Sequence, residues 1–194
     1  MWDERYSEAG FAYGTKPNDF LRENVEKLPA GKILCLAEGE GRNAVFLATR
    51  GFEVTAVDFS EVGLEKTEKL AKENNVSVET VCADLADFII EPKSWDAIVS
   101  IWVPIPSIVR RVLHKKVVGG LRTGGAFLLE AYTPQQLDFG TGGGKEIDLM
   151  VSLDSLQEEL KGLHFDIAQE IEREVQEGKY HNGQSAVVRV LAFK

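Results

Sequence analysis

Five short apolar runs punctuate the chain: Ile33 to Ala37, Val54 to Val57, Val76 to Cys82, Ala97 to Trp102 and Ala126 to Ala131. The first is apolar throughout, as suits a strand covered on both faces. Between them lie stretches of helix length: Asn43 to Arg50, Glu61 to Asn74 behind a Ser60 cap, and Ser107 to Leu121. Strand and helix alternating at this spacing predict an α/β protein with a mostly parallel, doubly wound sheet, whose ligands bind beyond the carboxyl ends of the strands. Ahead of the first strand, Pro17-Asn18-Asp19 opens a helix with Leu21, Val25 and Leu28 on one face. After the fifth come a glycine-rich loop from Phe139 to Lys145 and a helix from Leu153 to Leu160. Phe165 to Val175 fits a helix face through Ile167, Ile171 and Val175. The alternation of Glu170, Glu172 and Glu174 with Ile171, Arg173 and Val175 instead favours a strand with one acidic, solvated side. Ala186 to Phe193 reads as its antiparallel partner, with Asn182-Gly183 as the turn.

At 194 residues, with 44% hydrophobic and 27% charged positions, the chain is expected to form one folded domain, residues 1–194, in which 1–30 form an N-terminal cap segment and helix. A net charge of −9 without a basic run makes nucleic acids and anionic membranes poor partners. The start of the chain lacks an apolar core of signal-peptide type, so the expected compartment is the reducing cytoplasm. Cys35 and Cys82 fall on strands with another strand between them, roughly 9 to 10 Å apart, and are expected to be free thiols. With His114, His164 and His181 they show no pair at metal-ligand spacing, and no metal is expected.

The chemistry concentrates where the first strand meets a helix, in Ala37-Glu38-Gly39-Glu40-Gly41-Arg42-Asn43-Ala44. Gly39 and Gly41 lack the Cβ atoms that would keep a ligand from the backbone amides. Gly39-x-Gly41-x-x-Ala44 also spells the dinucleotide fingerprint, so two nucleotide classes compete. A pyrophosphate there would meet Glu38 and Glu40, each repulsion at ~6 Å costing about 3 kcal/mol at an effective dielectric near 20. A sulfonium and an ammonium would be attracted. Asp58, 19 positions past Gly39, is placed to accept from ribose hydroxyls, and Asp84 at the third strand's end suits an adenine amine. Asp58 also fits as a mere cap, and Asp84 as an ordinary loop acid.

Together these features resemble the class I S-adenosylmethionine-dependent methyltransferases, and within them the small tellurite-resistance and thiopurine methyltransferase-like group. The resemblance rests on Trp2-Asp3-x-x-Tyr6, Tyr13-Gly14-x-x-Pro17-Asn18, Gly39-Glu40-Gly41-Arg42-Asn43-Ala44, Ala56-Val57-Asp58-Phe59-Ser60, Gly140-Thr141-Gly142-Gly143 and His181-x-Gly183-x-Ser185-Ala186-Val187-Val188-Arg189. It implies a Rossmann-like, three-layer fold with seven strands in the order 3-2-1-4-5-7-6, strand seven antiparallel. It also implies S-adenosylmethionine as cofactor and S-adenosylhomocysteine as product. Glu38, Gly39 and Gly41 would hold the methionine end, Asp58 the ribose, and Phe59, Asp84 and Leu85 the adenine surroundings, with Ile101 a further cofactor contact, under a lid carrying Trp2 and Tyr13. The usual acid and glycine ending strand one are replaced by Cys35 and Ala37, and Glu38 is the stand-in carboxylate; valine occupies position 103.

For the methyl acceptor, a small molecule, His181 and Arg189 are the candidate catalytic residues: His181 takes a proton and Arg189 holds an anion, unless Arg189 pairs with Glu130. His114 reads as a surface residue. The glycine loop is one residue short of Gly-x4-Gly-Lys and is not a phosphate loop but a mobile flank of the acceptor pocket. The competing readings are an NAD(P)-dependent reductase and a cofactor-binding module without turnover. Nothing in the sequence requires more than a monomer.

Overall fold

The computed structural model describes residues 2–194, and seven strands and six α-helices account for most of them. The strands are β1 (Lys32–Leu36), β2 (Glu53–Asp58), β3 (Glu79–Cys82), β4 (Trp95–Ile101), β5 (Leu121–Tyr132), β6 (His164–Glu177) and β7 (His181–Phe193). They form one sheet in the order β3-β2-β1-β4-β5-β7-β6. The first five run parallel, and β7 is antiparallel to both β5 and β6.

The helices are α1 (Trp2–Tyr6), α2 (Asp19–Asn24), α3 (Arg42–Thr49), α4 (Glu61–Glu73), α5 (Ser107–Gly120) and α6 (Leu153–Glu159). Alternation along β1 divides the core. Ile33 and Cys35 join Phe20, Leu21, Ala44, Leu47 and Leu64 on the α2–α3–α4 face. Leu34 and Leu36 join Leu113, Val117, Leu156 and Leu160 under α5 and α6. Residues alternate between faces along a strand, so a one-residue slip of β1 would exchange the two sets. Local caps fix the helix starts: Asn18 Oδ1 accepts from the Leu21 amide and Ser60 Oγ from the Gly63 amide, as the sequence predicts. Cys35 and Cys82 stand unpaired on strands flanking β2.

Two expectations need correction. β3 starts at Glu79 rather than Val76, because the αL residue Asn75 ends α4 and Val76 to Val78 form the connection, packing on that helix. The final hairpin turns at Gly178-Lys179-Tyr180, not at Asn182-Gly183. Asn182 and Gly183 pair with Gln176 and Val175 inside the ladder. Gly178, at φ +69°, supplies the positive φ that the turn demands, and a Cβ there would lie 2.3 Å from the Tyr13 Cα.

Candidate active site

The turn after β1 passes through the left-handed region: Ala37, Gly39 and Gly41 have φ of +46°, +65° and +87°, a cost for the alanine and none for the glycines. The glycines do not clear space for a ligand, as expected from sequence; the protein itself fills that space. A Cβ on Gly39 would lie 2.6 Å from the Tyr6 hydroxyl, and one on Gly41 2.6 Å from Thr67 Oγ1. Glu38 turns back onto the α3 N-terminus, where its Oε1 accepts from the Asn43 and Ala44 amides, each at 2.8 Å. A helix start is a ready anion site, and here a carboxylate of the chain occupies it. A phosphate would have to displace this carboxylate to reach the same two amides. Burial raises the Glu38 pKa to about 7 against the opposing pull of the two amides and Arg42. Glu40 is neutralised internally: Oε1 accepts from Lys66 Nζ at 2.8 Å and Oε2 from the Ala12 amide at 2.7 Å.

At the β2 tip, Asp58 is buried and holds two amides, Gly39 N on Oδ2 and Ser60 N on Oδ1, both at 2.8 Å. Burial raises its pKa despite these bonds. A carboxylate offers about four lone-pair sites, so two remain after both amides are served. Asp3 on α1 bonds the Ser60 hydroxyl beside it. Phe59 projects its ring, 64% exposed, beyond the tip. Asp84 is exposed and caps its own turn through the Ala86 amide, whereas Leu85 is buried in the core. None of Asp58, Phe59, Asp84 and Leu85 lines the main cavity, and Leu85 belongs to the core under α5.

The cavity measures about 350 Å³, within the range of small-molecule sites. Ala37 and Glu38 on the β1 side, Ile101, Trp102 and Val103 on the β4 side, and Tyr132 at the β5 tip line it, together with Trp2, Tyr13, Arg42, Met150 and His181. Of the residues expected to form the site, Trp2, Tyr13, Glu38, Ile101 and His181 line this cavity. Arg5, Arg42, Trp102 and Tyr132 also line it without having been expected from the sequence, although Trp102 and Tyr132 end or directly follow apolar strand runs. Trp102 sits at φ +55° with its amide on the Glu130 carbonyl. Its ring lies 4.4 Å from Tyr132 and 5.1 Å from His181, and Tyr13 closes on His181 at 4.7 Å. This enclosure lowers the His181 pKa to about 4 by burial, so its imidazole is neutral near pH 7, and Nδ1 has no hydrogen-bond partner among the described residues. Residues 139–145 cover Tyr132: a Cβ on Gly142 would lie 2.5 Å from its hydroxyl.

Arg189 does not line the cavity. Its Nε donates to Glu130 Oε1 at 2.8 Å, across the β5–β7 ladder. Glu130, 0% exposed, also binds Arg173 at 2.8 Å and Asn18 Nδ2 at 2.5 Å. Asn18 and Arg173 reach on to Glu177, which accepts from Arg42 NH2 and Trp102 Nε1, both at 2.5 Å. Burial pushes the Glu177 carboxyl up, yet Arg42, Trp102 and Arg173 outweigh it and hold it below the usual range. His114, expected at the surface, is buried: its Nδ1 lies 2.6 Å from Glu159 Oε2, beside Arg110, because α6 packs over that side of α5.

Residues 33–125 match a family model described as a methyltransferase domain. Over 69 residues, 35% of this chain and 27% of the relative, the chain is 35% identical to the uncharacterized methyltransferase YbaJ of Bacillus subtilis. It is 29% identical over 96 residues, 46% of this chain and 33% of the relative, to the probable S-adenosyl-L-methionine-dependent methyltransferase TehB of Haemophilus influenzae. The matches thus span about a third or less of these relatives. The crystal structure of Haemophilus influenzae TehB superposes with a TM-score of 0.77 at 19% identity, covering 100% of this chain and 65% of that one.

Proposed function

We propose that this chain, which belongs by fold and domain to the class I S-adenosylmethionine-dependent methyltransferases of TehB-like type, transfers a methyl group to a small-molecule acceptor inside the cavity at its β1 and β4 tips. The observation that carries this reading is Glu38: a carboxylate on the α3 N-terminus, lining an aromatic cavity, suits a cationic ligand better than a phosphate.

When bound, S-adenosylmethionine supplies an electrophilic methyl that needs no further activation. The residues of the chain supply position. Glu38 would face the methionine ammonium, Asp58 retains lone pairs for ribose, and the exposed Phe59 ring offers a face to adenine. Trp102, Tyr132 and Tyr13 exclude water and hold the acceptor in line, an arrangement worth up to ~7 to 11 kcal/mol of barrier. Neutral His181 can hydrogen-bond the acceptor or take its proton. Arg189 has no such role in this reading, because Glu130 consumes it.

S-adenosylhomocysteine at 100 times its dissociation constant should add about 2.7 kcal/mol, raising the melting midpoint by about 5 to 10 °C for a domain of this size, while NADH leaves it unchanged. A shift with NADH alone would favour the reductase, and product from a methyl-labelled acceptor screen separates turnover from mere binding.

A further inference from the structure

Two cationic side chains line the cavity, and only one is spoken for. Arg42 is paired with Glu177 at 2.5 Å. Arg5 has no carboxylate within 4 Å among the described residues; Glu8, one turn on, is taken by Lys179 and Tyr180. Yet Arg5 is held firmly. Its guanidinium stacks between the Trp2 and Tyr180 rings at 5.1 and 4.6 Å, and NH1 donates to the Tyr13 hydroxyl at 2.8 Å. Those contacts leave most of its five donors unused. Glu38 lines the same cavity, and both its amide bonds fall on Oε1, leaving Oε2 lone pairs for another donor.

We infer that Arg5 anchors the carboxylate of the cofactor's amino-acid end while Glu38 takes its ammonium, a zwitterion clamp assembled from α1 and the β1 turn. This deepens the methyltransferase reading and rests on it. Because Tyr180 belongs to the β6–β7 turn and Tyr13 to the segment after α1, the clamp also ties a bound amino acid to both covering segments.

The test is ligand truncation against substitution, read by calorimetry. Arg5→Met, which keeps an unbranched stem between the rings, should weaken S-adenosylmethionine, with no acceptor present, about 10- to 100-fold, the span of a hydrogen bond to a charged group. It should leave decarboxylated S-adenosylmethionine, which lacks only the carboxylate, within about twofold of wild type. Glu38→Gln should weaken both compounds. Arg5→Lys should restore part of the loss. Equal losses for both compounds in Arg5→Met would make Arg5 a structural staple of α1 and overturn the inference, as would no loss for either. Wild-type protein that binds neither compound overturns the cofactor reading itself.

Discussion

Glu38 and His181 share one cavity and are perturbed in opposite senses, which makes their titrations a test of the site's dielectric character. Glu38 titrates at about 7 against an ordinary 4.5, so the fold binds its proton more tightly than the unfolded chain does. Its contribution is therefore full below pH 4.5 and is lost as pH climbs toward 7. His181 titrates at about 4 against 6.5, so its contribution is full above pH 6.5 and is lost as pH falls toward 4. Between about pH 4.5 and 6.5 the two slopes oppose and mask each other in the wild type. Each amounts to at most about 1.4 kcal/mol per pH unit, or about 2 kcal/mol from pH 5.0 to 6.5. For Glu38, at the cavity wall, solvent reduces this to about 1 kcal/mol. At 2 to 4 °C per kcal/mol, the midpoint of Glu38→Gln minus that of wild type should rise by about 2 to 4 °C between pH 5.0 and 6.5. The same difference for His181→Asn should fall by about 4 to 8 °C. Scanning calorimetry of the three proteins at both pH values decides it. Offsets constant with pH, or moving in the same direction, would refute the claim that burial governs both groups.

Glu177→Gln removes the counter-charge of buried Arg42 and should cost about 3 to 5 kcal/mol, a drop on the order of 10 °C by thermal melting. Gly178→Ala should destabilise far more than Gly51→Ala. Both have positive φ, worth about 1 to 2 kcal/mol, but only Gly178 would drive its Cβ into the backbone of Ala12 and Tyr13. Thiol titration of native protein should label exposed Cys82 rapidly and buried Cys35 only on unfolding; equal rates would contradict the placement of β1 at the centre of the sheet.

The five parallel strands were legible because a strand covered on both faces must be apolar, and four of the five runs coincide with one. Their order came from resemblance, since periodicity carries no information about neighbours. Asn182-Gly183 misled because the turn signal is local, while the actual turn was chosen by what Gly178 packs against. His114 looked exposed because helical spacing cannot report that α6 folds over α5. The largest omission is the network of Arg42, Glu130, Arg173, Glu177 and Arg189. Its members are scattered over 112 to 159 residues in the Asn18 bonds alone, and single charges in otherwise ordinary elements give no sign that they converge. Only the possible Glu130–Arg189 pair was visible, because an arginine inside an apolar strand demands an acid.

The segment around Ala12 is joined to the β6–β7 turn by the Lys179 amide on the Ala12 carbonyl, the Tyr180 and Lys179 bonds to Glu8, and the fit of Gly178 against Tyr13. Pairings that reach across about 170 positions carry a heavy loop-closure entropy and form late. A chain emerging from the ribosome would thus have its central strands before it could hold a substrate, and competence would arrive with the last hairpin. In the mature protein the same seam should be the first to breathe, letting molecules in and out while the sheet beneath stays shut.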